Sequence, residues 1–138
     1  MKDVALQWMR KAEYAIEEAE LILGLDRFDY GGACSRAGFA VIFAARAAFE
    51  QKRDTHDKRI PESPRDLLVM FDEILKRTPD SKFLLKGLRE AIFLQSWADD
   101  KNPIITRDHG HKAVKAAKDF LNAIEPHLDR EPVTLMTM

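Results

Sequence analysis

The stretch YGGACSRAGFAVIFAARAAFEQ, residues 30–51, decides the fold. Its alanines alternate with phenylalanine, isoleucine and valine, so a helix built from it is apolar on nearly every side. Such a helix must be buried on several sides. Arg36 and Arg46 interrupt the apolar run from Ala33 to Phe49, which falls short of the roughly 20 apolar residues that cross a bilayer. We therefore predict a central core helix and no membrane span.

Four amphipathic segments surround this helix in the sequence, and each carries apolar residues at three- and four-residue steps. Starts are marked by Ser63 and Thr106, which are good N-cap residues, and stops by Gly24 and Pro126. No segment alternates apolar and polar residues as a strand does. The fold class predicted is all-α, an antiparallel four- to five-helix bundle formed by residues 1–128, with residues 129–138 as a flexible tail. The predicted bounds of the flanking helices are Asp3–Leu23, Pro64–Lys76, about Asp80 to Trp97, and Thr106 to Pro126.

Composition limits the classes of partner. The 138 residues carry 22 Lys and Arg against 23 Asp and Glu, a net charge of -1. No global field therefore attracts nucleic acid or anionic lipid, and any basic site must be local. The first residues lack a signal-peptide pattern, so we expect a cytoplasmic protein. Cys34, the single cysteine, lies in an apolar run and is expected to be a buried, unreactive thiol.

Ligand-type side chains cluster between Asp99 and His111, but they do not predict a metal site. His109 and His111 are two residues apart and would point to nearly opposite sides of a helix. The pair Gly31-Gly32 also lacks the spaced glycines and the lysine of a phosphate-binding loop. We predict neither a metal nor a cofactor.

Three basic or titratable residues are the best candidates for a ligand site. Arg36 and Arg46 lie on the apolar helix, where a guanidinium must find a partner or reach water. That partner is either an ion pair, with Asp99 or a glutamate of helix 1, or a ligand. His56 lies in an exposed loop, residues 52–61, among lysines and arginines. This loop is either a phosphate or RNA contact or an ordinary charged loop.

Residues 29–47 resemble the second helix of HEPN domains. The branch pattern Ser-Arg-x-x-Tyr/Phe-Ala-x-x-x-Ala-Ala is matched by Ser35, Arg36, Phe39, Ala40, Ala44 and Ala45. Trp8 and Ala12 in helix 1 and Thr55-His56 after helix 2 agree with the family as well. The resemblance covers about residues 5–125 and implies a helical bundle that usually dimerises. Many members are RNases or toxins encoded beside a small nucleotidyltransferase partner, as in toxin–antitoxin pairs.

The family's RNase chemistry uses an Arg and a His with four to six residues between them, in a cleft between two protomers. Here Gln95 stands after Arg89 where that histidine would be, and the step from Arg107 to His111 is too short. The matching branch ends its fourth helix with Arg-x-x-Ala-Asp-Tyr, of which this chain keeps Ala98 and Asp99 but has Gln95 and Asp100 in place of the arginine and the tyrosine. These departures argue against nuclease activity.

The resemblance thus implies a homodimeric binding module for a nucleotide, an RNA or a protein partner. Arg36, Gln95 and Asp99 are expected near the family's cleft, with Arg36 close to Asp99. The alternative is a metal-independent RNase in which His56 or Arg36 replaces the missing pair. A third reading is an interaction domain without a polar ligand.

Overall fold

The computed structural model describes residues 1–25, 30–76, 78–99 and 105–128, and of Asp99 the backbone alone. Within these ranges there are five α-helices, one 3-10 turn and no strand, which confirms the all-α prediction. The helices are α1 (Asp3–Gly24), α2 (Tyr30–Lys52), α3 (Pro64–Leu75), α4 (Ser81–Asp99) and α5 (Arg107–Ile124), and the 3-10 turn is Glu125–Leu128.

Local capping sets the starts of α3 and α5. The Ser63 hydroxyl accepts a hydrogen bond from the Asp66 N–H at 3.1 Å, and Pro64 follows it with a helical φ. At α5 the Thr106 hydroxyl accepts from the His109 N–H, while the His109 Nδ1 accepts from the Thr106 N–H at 3.0 Å. His109 thus completes a reciprocal cap of the kind usually made by Glu or Gln. Both predicted N-caps are confirmed.

Helix α2 is the centre of the domain, as predicted. It packs against α1, α3, α4, α5 and the 3-10 turn. Its 23 residues are long and apolar enough to cross a membrane by length and composition, which corrects our expectation that the apolar stretch is too short. However, 67% of its most apolar window is buried inside the protein. That burial is typical of a core helix, so its hydropathy is weak evidence for a membrane span.

Helices α1 and α2 run antiparallel. The Lys2 N–H at the start of α1 donates to the Gln51 side chain near the end of α2 at 2.7 Å. Towards the other end, the Glu18 carboxylate lies 3.6 Å from the Arg36 guanidinium. A contact early in one helix and late in the other requires opposite directions, so α1 and α2 form an antiparallel pair.

Two glycines bring the helices close together. A Cβ at Gly38 of α2 would lie 3.1 Å from the Ala91 carbonyl oxygen and 3.2 Å from the Gln95 Cβ, both of α4. A Cβ at Gly87 of α4 would lie 2.8 Å from the Phe120 ring of α5. The contacts at Gly38 are tighter than ordinary van der Waals packing and the one at Gly87 would be a clash, so α4 lies directly on α2 and the Phe120 ring packs on Gly87.

The end of the described chain is fixed to the start of α4. Pro126 ends α5 as predicted, and His127 follows in the 3-10 turn with its Nε2 2.8 Å from Asp80 Oδ2. Burial raises the pKa of Asp80, but the hydrogen bond and charge of His127 outweigh it and hold the pKa below its usual value. The sequence did not predict this pair, whose members are 47 residues apart.

Candidate nucleic-acid interface

Arg36 lies on the side of α2 that faces α1. Its Nε is 3.6 Å from the Glu18 carboxylate, and its side chain is 48% exposed. Of the partners expected for it, the structure provides the helix 1 glutamate. An ion pair with this separation and solvent exposure contributes little to stability, so the guanidinium keeps N–H donors available for a ligand.

Arg46 lies about 15 Å further along α2 and is mostly buried. Its Nε is 3.5 Å from the Glu50 carboxylate, its Nη1 lies 3.5 Å from the Pro61 carbonyl oxygen, and its guanidinium carbon lies 5.0 Å from the Trp8 ring centre. The ion-pair alternative therefore describes Arg46, with a partner that the sequence analysis missed. Glu50 is the one acidic residue of α2, four residues after Arg46, and that spacing was available as a signal.

The Glu50 carboxylate is 3% exposed and lies between two arginines. Its Oε2 is 3.1 Å from the Arg53 guanidinium, whereas its Oε1 and the Arg46 Nε have no hydrogen-bond partner. The arrangement joins the end of α2 to the loop that follows.

Gln95 and Asp99 lie on α4, on another side of α2. The Cβ of Gln95 packs at Gly38, which is two residues and so about 200° around the helix from Arg36. Arg36 faces α1 and Gln95 belongs to the α2–α4 contact, so the two candidates lie on different sides of α2. The side chain of Asp99 lies outside the described part of the chain, and its pairing with Arg36 stays a prediction.

His56 lies in the exposed loop between α2 and α3. Its N–H donates to Asp54 Oδ1 at 2.9 Å, which forms a local turn. It follows the end of α2, about 24 Å along the helix axis from Arg36, so the two do not meet within one chain. Arg59 of the same loop pairs with Asp57 and Glu73.

Hydrogen bonds from Arg59 lower the pKa of Asp57 to about 2. Much of the loop's positive charge is thereby offset within the protein. This geometry favours an ordinary charged loop over a phosphate site.

Other candidate chemistry is weak in the described ranges. They contain no group of three His, Cys, Asp or Glu side chains that could hold a metal ion. His109 is used in its cap and contacts the Trp97 ring edge-on at 5.4 Å. Cys34 is buried as predicted, and burial raises the pKa of its thiol, which opposes the reactive thiolate.

A row of aromatic rings flanked by cations covers the α1–α2 surface, and we call it the aromatic–cationic face. The Phe39 and Phe43 rings stack at 5.7 Å, and the Trp8 ring lies 5.8 Å from Phe43. Lys11 Nζ lies 4.6 Å from the centre of the Trp8 ring. The face consists of Trp8, Lys11 and Tyr14 of α1 and of Arg36, Phe39, Phe43 and Arg46 of α2.

The aromatic–cationic face contains two adjoining hollows. One, of about 260 Å³, lies beside Arg36 and Tyr14, and the other, of about 190 Å³, lies between Arg46 and the start of α3. Phe43 lines both. The sequence held the signal, since residues 36, 39, 43 and 46 follow each other at steps of three and four, as one stripe of a helix does.

The comparisons with known proteins agree with the architecture. The family model of the HEPN domain matches residues 5–127, nearly the whole chain. No curated protein and no solved structure gives a significant match. The family match covers α1 from Ala5 onwards, the other four helices in full and the 3-10 turn up to His127. This chain therefore belongs to the HEPN domain family.

Proposed function

We propose that this HEPN domain binds single-stranded RNA across the aromatic–cationic face. The observation that carries the proposal is the row of contacting rings with a cation at each end, Arg36 and Arg46. Single-stranded nucleic acid is held by such combinations, because bases stack on aromatic side chains while cations contact the phosphates. A net charge of -1 makes a local site of this kind the relevant one.

Stacking surface is available at the Arg36 end of the face. Tyr14 is 65% exposed, and the Phe39 and Phe43 rings beside it are partly buried. The rings held by their neighbours lose little freedom when a base covers them. Stacking of one base on such a ring contributes about 1–3 kcal/mol.

The cations of the face differ in role. Arg36 is half exposed and Lys11 is exposed, so both can reach a phosphate. Arg46 is fixed by Glu50 and Trp8 and serves to position the Trp8 ring. We assign the phosphate contacts to Arg36 and Lys11, since a guanidinium grips phosphate in a two-pronged geometry.

The test is the affinity of a fluorescently labelled single-stranded RNA for the purified protein, measured by anisotropy. We expect Arg36→Ala and Tyr14→Ala each to weaken binding about tenfold, or about 1.4 kcal/mol. Both residues are exposed, so the melting temperature should stay near that of the wild type.

Matched controls lie elsewhere on the surface. Arg89→Ala removes an exposed arginine of α4, and Leu21→Ala removes an exposed apolar side chain of α1. Both should bind RNA as the wild type does. Equal loss in Arg36→Ala and Arg89→Ala, or no RNA binding at all, would refute the proposal.

Salt distinguishes RNA from a protein partner. Aromatic and arginine side chains are also enriched in protein–protein interfaces. Binding through phosphates weakens steeply as the salt concentration rises, because binding releases counterions from the RNA.

The alternative of a metal-independent RNase is tested in the same reaction with a chelator added. Recovery of intact RNA would count against it.

We further propose that the domain is a cytoplasmic homodimer. Support comes from Phe93 and Phe83 of α4, which are 70% and 52% exposed. Large exposed apolar side chains commonly mark contact surfaces. Sedimentation velocity should give a dimer for the wild type and a monomer for Phe93→Glu, with Leu21→Glu as the control. A wild-type monomer at micromolar concentration would contradict the homodimer.

A nucleotidyltransferase encoded beside this gene would be the protein partner to test by co-purification.

A further inference from the structure

A third hollow lies on the other flank of α1, against α5. Its volume is about 490 Å³, and it is open to solvent. We call it the α5 hollow. It is lined by Glu20, Leu23 and Gly24 of α1 and by Arg107, His111, Val114, Lys115 and Lys118 of α5.

Nitrogen donors form one side of the α5 hollow. Arg107, His111, Lys115 and Lys118 follow each other at steps of four, four and three residues, so they share one side of α5. Glu20 is the one acidic residue that lines the hollow. The hollow therefore has a surplus of positive charge in a protein whose net charge is -1.

These donors are weakly engaged. The side chains of the Lys118–Glu20 and Lys115–Asp119 pairs, at 3.0 and 2.9 Å, are each about half exposed or more, and such pairs contribute little to stability. The Arg107 Nε donates to the His111 Nε2 at 3.3 Å. Among the described residues, Arg107 has no carboxylate in ion-pair distance, so its remaining N–H groups are available.

The floor of the hollow is apolar. Leu23 and Val114 line it beneath the row of donors, and Leu23 packs tightly at Gly110. Donors at the rim and an apolar floor suit a small ligand that carries a phosphate and a less polar body.

We propose that the α5 hollow binds a phosphate group, with Arg107 as the two-pronged contact and Lys115 and Lys118 as further cations. This site shares no residue with the aromatic–cationic face, so it goes beyond the RNA binding proposed above. Inorganic polyphosphate and nucleotides offer the same phosphate chemistry. The apolar floor would add affinity for a nucleotide alone.

The experiment uses the full chain, with inorganic phosphate, pyrophosphate and AMP as separate probes, titrated by calorimetry or by NMR shifts of α5 amides at physiological salt. Arg107→Ala and Lys115→Ala should each weaken pyrophosphate binding about fivefold or more. Tighter binding of AMP than of inorganic phosphate identifies the nucleotide as the source.

Lys112→Ala is the matched control. Lys112 lies on α5, is exposed and pairs with Asp108 at 3.1 Å, as Lys115 pairs with Asp119, but it does not line the hollow. We expect Lys112→Ala to bind as the wild type does. Equal weakening in Lys112→Ala and Lys115→Ala, or no binding of either probe, overturns the proposal. RNA binding measured on Arg107→Ala separates the two proposals, because the aromatic–cationic face is untouched in this variant.

Discussion

Replacing Glu50 with Gln should destabilise the domain more than replacing any other charged residue of α2 with a neutral one. The variant keeps the shape of the side chain but removes the negative charge between Arg46 and Arg53. An amide can accept from one guanidinium, but its NH₂ group then faces the other donor. Two partly buried cations are then left without a carboxylate to pair with, and keep only neutral acceptors such as the Pro61 and Arg59 carbonyl oxygens.

The magnitude follows from burial. Breaking a buried ion pair costs about 3–5 kcal/mol when the remaining charge is sealed from water. Arg46 and Arg53 are 16% and 21% exposed, and Arg46 keeps its contacts with Pro61 and Trp8. We therefore expect a loss of about 2–3 kcal/mol. With an unfolding entropy of about 2.1 cal/mol/K per residue, 138 residues give a fall in Tm of roughly 7–10 °C.

The assay is thermal and urea unfolding followed by circular dichroism, with Glu90→Gln as the matched control. Glu90 is exposed on α4 and lies 3.8 Å from Lys86, so its change should stay within about 0.5 kcal/mol. Adding Arg53→Gln to Glu50→Gln should cost less than the sum of the single changes, because the second change removes a stranded charge. A Glu50→Gln protein that melts with the Glu90→Gln control would refute the reasoning.

Three further predictions concern stability and reactivity. The pKa of Asp80 is below its ordinary value of 3.8, so its contribution to the free energy of unfolding is present above about pH 3.8 and is lost as the pH falls through the lowered pKa. In urea unfolding, the stability of Asp80→Asn should therefore converge on that of the wild type in acid. A stability difference that stays constant with pH would contradict this. Gly38→Ala should destabilise the domain by about 1–2 kcal/mol despite the better helix propensity of alanine, because the new Cβ meets the Ala91 carbonyl oxygen. Gly24→Ala is the control and should be near neutral, because its Cβ meets nothing within 4 Å. Equal melting temperatures of the two variants would contradict the close approach of α4 to α2 at Gly38. Cys34 should react with a thiol reagent at the rate of unfolding, and rapid labelling of the folded protein would be inconsistent with its burial.

The helices could be predicted from the sequence because their causes are local. Ser63 and Thr106 cap the residues that directly follow them, and the apolar stripe of each helix is a property of its own segment. The bounds accordingly differ from the prediction by a few residues at most.

Contacts between distant segments could not be predicted in the same way. Asp80 and His127 meet only because α5 ends beside the start of α4, and neither neighbourhood in sequence contains that information. Arg36 had two candidate partners on two helices, and the choice of Glu18 depends on the register of α1 against α2. For the same reason only part of the candidate site could be predicted. The resemblance grouped Gln95 with Arg36, but in the structure Gln95 lies on another side of α2.

Helix α2 separates its two arginines by role through their distance from the core. Both lie on one stripe, yet Arg46 is enclosed with Glu50 while Arg36 reaches water beside a long ion pair. A buried charge must be paired for the fold to be stable, whereas a charge that serves a ligand must be able to leave its partner at little cost. Glu50→Gln should therefore lower stability strongly and weaken RNA binding only through the position of Arg46 and Trp8, whereas Arg36→Ala should weaken RNA binding directly and leave stability nearly unchanged. If Arg36→Ala instead melted as early as Glu50→Gln, the aromatic–cationic face would be part of the structural core, and RNA binding would have to be sought on another surface.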